Sequence, residues 1–377
     1  MEFRDLKKQY YLYKKDIDEA VKSIMESSSF IMGKPVLELE KQLADYVGVK
    51  HCITCANGTD ALTLALMVYD IKKGDAVFVP DFTFFSSAEV VAYEGATPIF
   101  VDVDKDTFNI DVDKLELTIQ NIIAEGTLKP KAVIAVDLFG LPANFLELKR
   151  IADTYDLIII EDAAQGFGGR IGEKIACSFG DIATTSFFPA KPLGCYGDGG
   201  AIFTNDDDLD NLLRSLRVHG KGENKYDNIR LGMNSRLDTI QAAILQIKLK
   251  AFTEHELEDV NRAYKLYNDK LKEIVIVPVI PRNYYSSFAQ YTIVLNNKVM
   301  RDELHNYLKK NNIPSMIYYQ KPMHKQLAFS NQDFNENDYE VTNMLCDCVL
   351  SLPMHPYLTE EDINIVCNCI KEFIQKG

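Results

Sequence analysis

Between residues 51 and 204 one pattern repeats: a short apolar run, a turn, then a helical stretch. Asp75–Val79, Pro98–Val101, Ala132–Val136, Leu157–Ile160, Thr184–Phe188 and Ala201–Thr204 read as strands. Ala61–Met67, Ala88–Glu94, Asp111–Ala124, Leu146–Tyr155 and Leu209–Val218 read as helices. The strands are apolar throughout instead of alternating, which marks a sheet buried on both faces. Strands separated by helices run parallel, so the pattern predicts an α/β fold with a mostly parallel central sheet and helices on both faces. Ligands of such sheets sit beyond the carboxyl ends of the strands. Phe82–Ser87, Asp137–Gly140 and Asp162–Gln165 fall at such ends.

The flanks differ. Residues 1–30 read as an amphipathic helix with Ile17, Ala20, Val21 and Ile24 at helical spacing, and Val36–Val47 as a second. A polar loop over 219–235 carries His219 and Tyr226, and a long helix runs from near Leu237 to about Leu271. Beyond it the chain reads as α+β, with strands at Ile274–Val279, Phe288–Leu295 and Ser315–Tyr319 and helices at Met300–Asn311, Val341–Cys348 and Glu360–Ile374. We expect two domains in these 377 residues: a large one over 1–250 and a smaller C-terminal one, with the linking helix, over 251–377.

Charge narrows the partners. With 41 Lys+Arg against 55 Asp+Glu, the net charge of −14 argues against nucleic acid and anionic membranes as general partners. No signal-peptide h-region opens the chain and no apolar run is long enough to span a bilayer, so a cytoplasmic location is expected. The eight cysteines lack the paired spacing of a zinc site. They are expected to be buried thiols, with no metal.

Lys191 stands between Pro189 and Pro192, and Gly194, Gly197, Gly199 and Gly200 follow. Prolines and glycines at this density fix or permit unusual backbone angles around one amine. Either the lysine is held for chemistry or a tight turn happens to contain it. Asp162 ends an apolar strand, where a carboxylate is costly unless partnered. It is either a helix cap or the partner of a cationic heteroaromatic nitrogen. A Schiff-base lysine and an acid for a pyridinium nitrogen are what pyridoxal phosphate requires. Ser186, and the Asn57-Gly58-Thr59 helix start, offer donors to a phosphate. At that start an ordinary turn with Thr59 as cap is the plainer alternative. Phe84, in an aromatic-rich loop, can stack on a ring.

These segments resemble one family. Asn57–Leu62, Glu161–Gln165, Ser186–Gly194, Gly197–Gly200 and Asn234–Asp238 together are similar to the DegT/DnrJ/EryC1/StrS family of pyridoxal-phosphate-dependent nucleotide-sugar aminotransferases, which have the aspartate-aminotransferase fold (fold type I). The resemblance spans essentially the whole chain. It implies that Lys191 forms the Schiff base and shuttles the proton, and that Asp162 keeps the pyridine nitrogen protonated. It implies that Gln165 contacts the ring-hydroxyl side, that Phe84 stacks on the ring, and that Gly58, Thr59 and Ser186 bind the phosphate. It further implies a homodimer with shared active sites, Asn234 reaching the phosphate from the neighbouring subunit. Arg236 is the cation available to a carboxylate, and His219 and Tyr226 flank an interfacial loop. Lys191 places the chain with the aminating members instead of those that carry histidine there and dehydrate sugars, because histidine cannot form the Schiff base.

Ser186–Asp207, Ala289-Gln290-Tyr291 and Ser351–Tyr357 look most like enzymes that aminate C3 of UDP-2-acetamido-2-deoxy-3-oxo-glucuronate. That subgroup has a His-Tyr pair where this chain has Tyr318-Tyr319. Tyr318 can still donate to a sugar but removes a cation from a uronate carboxylate, leaving a neutral 3-keto or 4-keto sugar open. The expected reaction transfers an amino group from L-glutamate, releasing 2-oxoglutarate, to a keto-sugar nucleotide for bacterial surface polysaccharide such as O-antigen of lipopolysaccharide. A 4-keto-6-deoxy UDP- or dTDP-sugar aminotransferase is the alternative. A sugar dehydratase and a non-catalytic cofactor-binding regulator are the remote ones.

Overall fold

A computed structural model describes residues 1–224 and 226–376; Lys225 in the polar loop lies outside the described residues. Two helices open it, α1 (Leu6–Ser27) and α2 (Lys34–Val47). They are followed by β1 (His51–Cys55), α3 (Gly58–Val68), β2 (Asp75–Pro80), α4 (Ser86–Tyr93) and β3 (Thr97–Val101). Next come α5 (Val112–Glu125), β4 (Lys129–Val136), α6 (Phe145–Tyr155) and β5 (Ile158–Asp162). Two short strands, β6 (Arg170–Ile171) and β7 (Lys174–Ile175), precede β8 (Ile182–Ser186), β9 (Gly200–Thr204) and α7 (Asp207–Leu216).

The main sheet has seven strands in the order β1-β9-β8-β5-β4-β2-β3. The pairs β2–β3, β2–β4, β4–β5 and β5–β8 are parallel, whereas β9 runs antiparallel to both β8 and β1. An antiparallel neighbour needs no crossover helix. The segment from β8 to β9 therefore turns back at the edge where the parallel strands end, and Lys191 lies on that turn. The strands bury both faces as their composition requires: Val77 and Ile134 join one apolar cluster, and their neighbours Phe78 and Val133 another. Helix α2 covers the β8–β9 end, where Leu39 and Leu43 share a cluster with Ala183, Ala201 and Phe203.

α8 (Thr239–Ala251) passes through a π-helical turn at Phe252–Glu256 into α9 (Leu257–Leu271). Phe252 packs at that turn against Phe167, ring centres 5.7 Å apart. After α9 come β10 (Tyr284–Tyr285), β11 (Tyr291–Val294), α10 (Lys298–Lys310), α11 (Glu340–Cys348), β12 (Val349–Leu352) and α12 (Glu360–Lys376). β10 pairs with β6 and β11 with β12. A separate cluster gathers Tyr267, Tyr291, Leu304, Leu350 and Ile363.

Two expected strands are absent. Over Ile274–Val279 only Ile276 bridges, to Val294, because Pro278 has no N–H to extend a ladder. Over Ser315–Tyr319 only Met316 bridges, to Ser351, and Tyr319 turns to side-chain partners on the large sheet's edge. Helix α3 begins at Gly58, earlier than Ala61, because Asn57 and not Thr59 caps it, accepting from the Asp60 N–H at 2.8 Å. Among the described residues all eight cysteines are unbridged, and no helix is long and apolar enough to cross a membrane.

Candidate active site

The carboxyl ends of β1, β2, β5 and β8 meet the start of α3 and the β8–β9 turn. Asp162, the last residue of β5, is buried. Ser87 donates its hydroxyl to Asp162 Oδ2 at 2.8 Å, and the Ala164 N–H donates to Oδ1 at 3.2 Å. Thr83 Oγ1 lies 3.2 Å from Ser87 Oγ. Ser87's single proton is committed to the carboxylate, so Thr83 is the donor in that contact. Burial pushes Asp162 above the ordinary carboxylate range, while Ser87, Ala164 and the Lys191 charge pull against it. Lys191 shifts the other way: burial lowers its amine, Asp162 opposes the shift and Arg4 adds to it. The site thus holds a carboxylate short of a cation beside an amine biased toward its free, nucleophilic form.

The other end of the site is a contact between helix and turn. A Cβ at Gly58 would stand 2.7 Å from Ser186 Cβ, and one at Gly200 would stand 2.4 Å from the Asn57 carbonyl. Only glycine lets the first turn of α3, with N–H groups that lack helical partners, approach Ser186 this closely. Thr59 Oγ1 lies 2.9 Å from Ser86 Oγ, so Ser86 joins Gly58, Thr59 and Ser186 there.

Gln165 is fixed at both ends. Its Oε1 accepts from the Phe139 N–H at 2.8 Å and its Nε2 donates to the Tyr319 hydroxyl at 3.0 Å. Tyr319 leans on Phe82 and Phe84, ring centres 5.9 and 6.4 Å away. Phe84 stays 53% exposed, unlike the buried Phe82, which leaves its ring available to a ligand. Tyr318 contacts Phe3, ring centres 6.2 Å apart.

The remaining expected residues, His219, Tyr226, Asn234 and Arg236, lie on the segment between α7 and α8. His219 and Tyr226 line an open hollow of about 790 Å³ with Lys221, Arg230 and Leu231. Arg230 donates to Ser215 Oγ at 2.7 Å. Asn234 is exposed and accepts from Arg236 through its side-chain oxygen. Ser235, between them, accepts from the Ala56 N–H at 3.0 Å and ties this strip to the approach to α3.

Three features went unread in the sequence. Ser87 lay within Phe82–Ser87, a segment marked as a strand end, but no spacing singles out the serine. Ser86 is hidden the same way. Glu161 beside Asp162 was visible as a pair, and strand alternation puts the two on opposite faces. Glu161 accepts from the N–H groups of Cys177, Phe179 and Gly180, and burial pushes it up together with Asp137.

Comparison with known proteins agrees with this geometry. The model of the DegT/DnrJ/EryC1/StrS aminotransferase family matches residues 12–371. The chain is 43% identical, over 97% of its length and 98% of the relative's, to a UDP-2-acetamido-2-deoxy-3-oxo-D-glucuronate aminotransferase of Pseudomonas aeruginosa. It is 40% identical, over 97% and 96%, to a UDP-N-acetyl-3-dehydro-alpha-D-glucosamine 3-aminotransferase of Acidithiobacillus ferrooxidans. A crystal structure of a DegT DnrJ EryC1 StrS aminotransferase from Brucella abortus superposes with a TM-score of 0.96 at 48% identity, covering 99% of each chain. A carboxylate and a lysine at the carboxyl edge of a mostly parallel sheet, in a chain matched over nearly its whole length, lead to one assignment: the chain belongs to the DegT/DnrJ/EryC1/StrS aminotransferase family.

Proposed function

We propose that the chain is a pyridoxal-phosphate-dependent nucleotide-sugar aminotransferase that moves the amino group of L-glutamate to a UDP-linked 3-keto N-acetyl hexose or uronate, releasing 2-oxoglutarate. The observation that carries this reading is the buried Asp162 carboxylate set against the Lys191 amine beside the α3–Ser186 contact. The residues present fit the cofactor: an acid that lacks a cation, an amine biased toward its free form, and a helix start that only glycine permits. When bound, the cofactor supplies an electron sink for the substrate's carbon. Lys191 would hold the cofactor through its side-chain amine and, when that amine is free, would move a proton to or from the substrate carbon. Asp162 holds a proton on the ring nitrogen, and Ser87 orients Asp162. Gly58, Thr59 and Ser186 bind the phosphate, Phe84 covers the ring face and Gln165 sits at the ring-hydroxyl side.

The active form is a homodimer in which Asn234 of the partner subunit reaches the phosphate. The exposed apolar strip of Tyr226 (86%), Ile229 (57%) and Leu231 (91%), next to Asn234, supports a subunit contact there. Arg236 meets the donor's carboxylate, and His219, Tyr226, Tyr318 and Tyr319 contact the sugar nucleotide. The division into 1–250 and 251–377 belongs to the same proposal, supported by the separate cluster around Tyr267 and Tyr291. So does a cytoplasmic role in surface-polysaccharide synthesis, such as O-antigen of lipopolysaccharide.

Tyr318 favours a second acceptor. Its neutral hydroxyl, on a ring that rests against Phe3, suits an uncharged keto sugar, 3-keto or 4-keto-6-deoxy, better than a uronate. Incubating the cofactor-loaded protein with L-glutamate should convert its absorbance to the amine form. Presenting that form with UDP- and dTDP-linked 3-keto and 4-keto sugars, with product identification by mass and NMR, then names the acceptor. A spectrum unmoved by glutamate, loss of hydroxyl without gain of nitrogen, or amination by Lys191→Ala would each sink the reading.

A further inference from the structure

The turn that carries Lys191 is gripped from outside the sheet. Arg4, just ahead of α1, donates through Nη2 to the Lys191 carbonyl at 2.6 Å and to the Pro192 carbonyl at 3.3 Å. At the Lys191 end the turn's other backbone bonds are local, the Lys191 N–H donating to Phe188 at 2.9 Å and the Cys195 N–H to Phe187 at 2.8 Å, while Gln241 of α8 accepts from the Tyr196 N–H at 2.9 Å and donates to its carbonyl at 3.2 Å. Arg4 itself is seated on the C-terminal part of the chain. The neighbouring Phe3 carbonyl accepts from the Met354 N–H at 3.2 Å, and the Phe3 ring meets Tyr318.

The charges around Arg4 leave it as the working cation of this pocket. Glu256 faces it and accepts from the Tyr13 hydroxyl at 2.8 Å and from the Tyr357 hydroxyl. Lys248 and His355 also face Arg4, and both are buried without a hydrogen-bond partner for their nitrogens among the described residues. Burial first, then Arg4, brings Lys248 down to about 7 and His355 to about 4.

We propose that Arg4 is a positioning residue for the reaction: it fixes the Lys191–Pro192 peptide through two hydrogen bonds and sets its charge against the backbone of the residue that carries the amine. The inference rests on the reading of Lys191 as the lysine that carries the cofactor. Two charged groups act on that amine. Asp162 favours the ammonium form, and Arg4 favours the free amine that burial already promotes. Removing the arginine charge therefore raises the pH at which Lys191 becomes reactive. Removing only its fork loosens the turn without that shift.

The test uses cofactor-free protein, acetylated with isotopic acetic anhydride across a pH series, the Lys191 peptide being quantified by mass. In Arg4→Gln the reactivity midpoint should rise by about 0.5 to 1 unit, a three- to tenfold loss of labelling below the midpoint. In Arg4→Lys it should stay at the wild-type value. After reloading, kcat should fall by roughly tenfold in Arg4→Gln and less in Arg4→Lys, with KM for the keto sugar unchanged. A midpoint and kcat in Arg4→Gln that coincide with wild type overturn the proposal. If Arg4→Gln fails to fold, Arg4→Lys decides alone: a lowered kcat at an unchanged midpoint supports the grip, and wild-type kcat overturns it. Stable cofactor capture by Lys191→Ala would instead overturn the functional reading and leave the effect on the turn to be read from the labelling.

Discussion

Ser87→Ala tests whether Asp162 is a carboxylate kept in an unfavourable place. The serine is fully buried, and its hydroxyl sits 2.8 Å from Asp162 Oδ2. A hydrogen bond to a charged group of this kind contributes about 1.5–3 kcal/mol, so losing it should raise the Asp162 pKa further. The shift has a definite sign. A carboxyl whose folded-state pKa is raised stabilises the fold at pH below its unfolded value, and that stability is lost as pH climbs through the folded pKa. Wild-type Asp162 is already raised, and the variant lengthens the interval over which the buried charge is resisted. Urea unfolding of cofactor-free protein at fixed concentration should show Ser87→Ala weaker by about 1.5–3 kcal/mol where Asp162 is ionised, the deficit shrinking as pH falls and the carboxyl protonates in both proteins. A deficit independent of pH would show that Ser87 matters for packing alone, and the argument that it supports a charge would fall.

Other expectations are more direct. Gly58→Ala puts a methyl 2.7 Å from Ser186 Cβ, so its cofactor affinity, read by fluorescence titration, should drop by about 10- to 100-fold, and the forced separation of α3 from Ser186 should cost about 1–3 kcal/mol of stability. Glu40 is buried, accepts from Arg217 at 2.6 Å and Arg214 at 2.8 Å, and is held below the ordinary range against its burial. Removing it in Glu40→Ala leaves buried Arg217 uncompensated and should destabilise the protein by about 3–5 kcal/mol near neutral pH, measured by denaturant unfolding. Because the Glu40 pKa is depressed, this contribution is present above its unfolded value and fades as pH falls through the folded one, so the wild-type advantage should narrow under acid. Mixing inactive Lys191→Ala with inactive Asn234→Ala should restore activity, to roughly a quarter of wild type at equal proportions if the phosphate site is shared between subunits. Mixtures that stay inactive while exchanging subunits would exclude that arrangement.

Much of the fold was legible because the central strands are apolar on both faces, and that pattern depends only on local composition. Lys191 and Asp162 were legible for a related reason: each breaks its surroundings, a charge at the end of Leu157–Ile160 and an amine among prolines and glycines. What stayed hidden depends on contacts between distant parts of the chain. Ser87 reaches Asp162 across 75 residues and Arg4 reaches Lys191 across 187, and no local spacing encodes either meeting. The misread strands failed for nearer causes. Pro278 ends one ladder, and Tyr319 leaves the other for Gln165. The start of α3 is ambiguous in sequence because asparagine and threonine both cap helices, and only the backbone shows that Asn57 does so.

The reversed strand β9 has a consequence for how the protein comes into being. β1 bonds to no other strand of the sheet, pairing His51 with Thr204 through Cys55 with Gly200. On a ribosome, the edge strand emerges long before its partner, so it waits unpaired while some 150 residues are made, at about 5–20 residues per second. Only when the β8–β9 return has been synthesised can β1 dock and bring Gly58 against Ser186. The close contact of α3 with Ser186 is therefore absent from the nascent chain until that point. Cofactor present during translation cannot template the early sheet. It can only reward a chain that has already closed it.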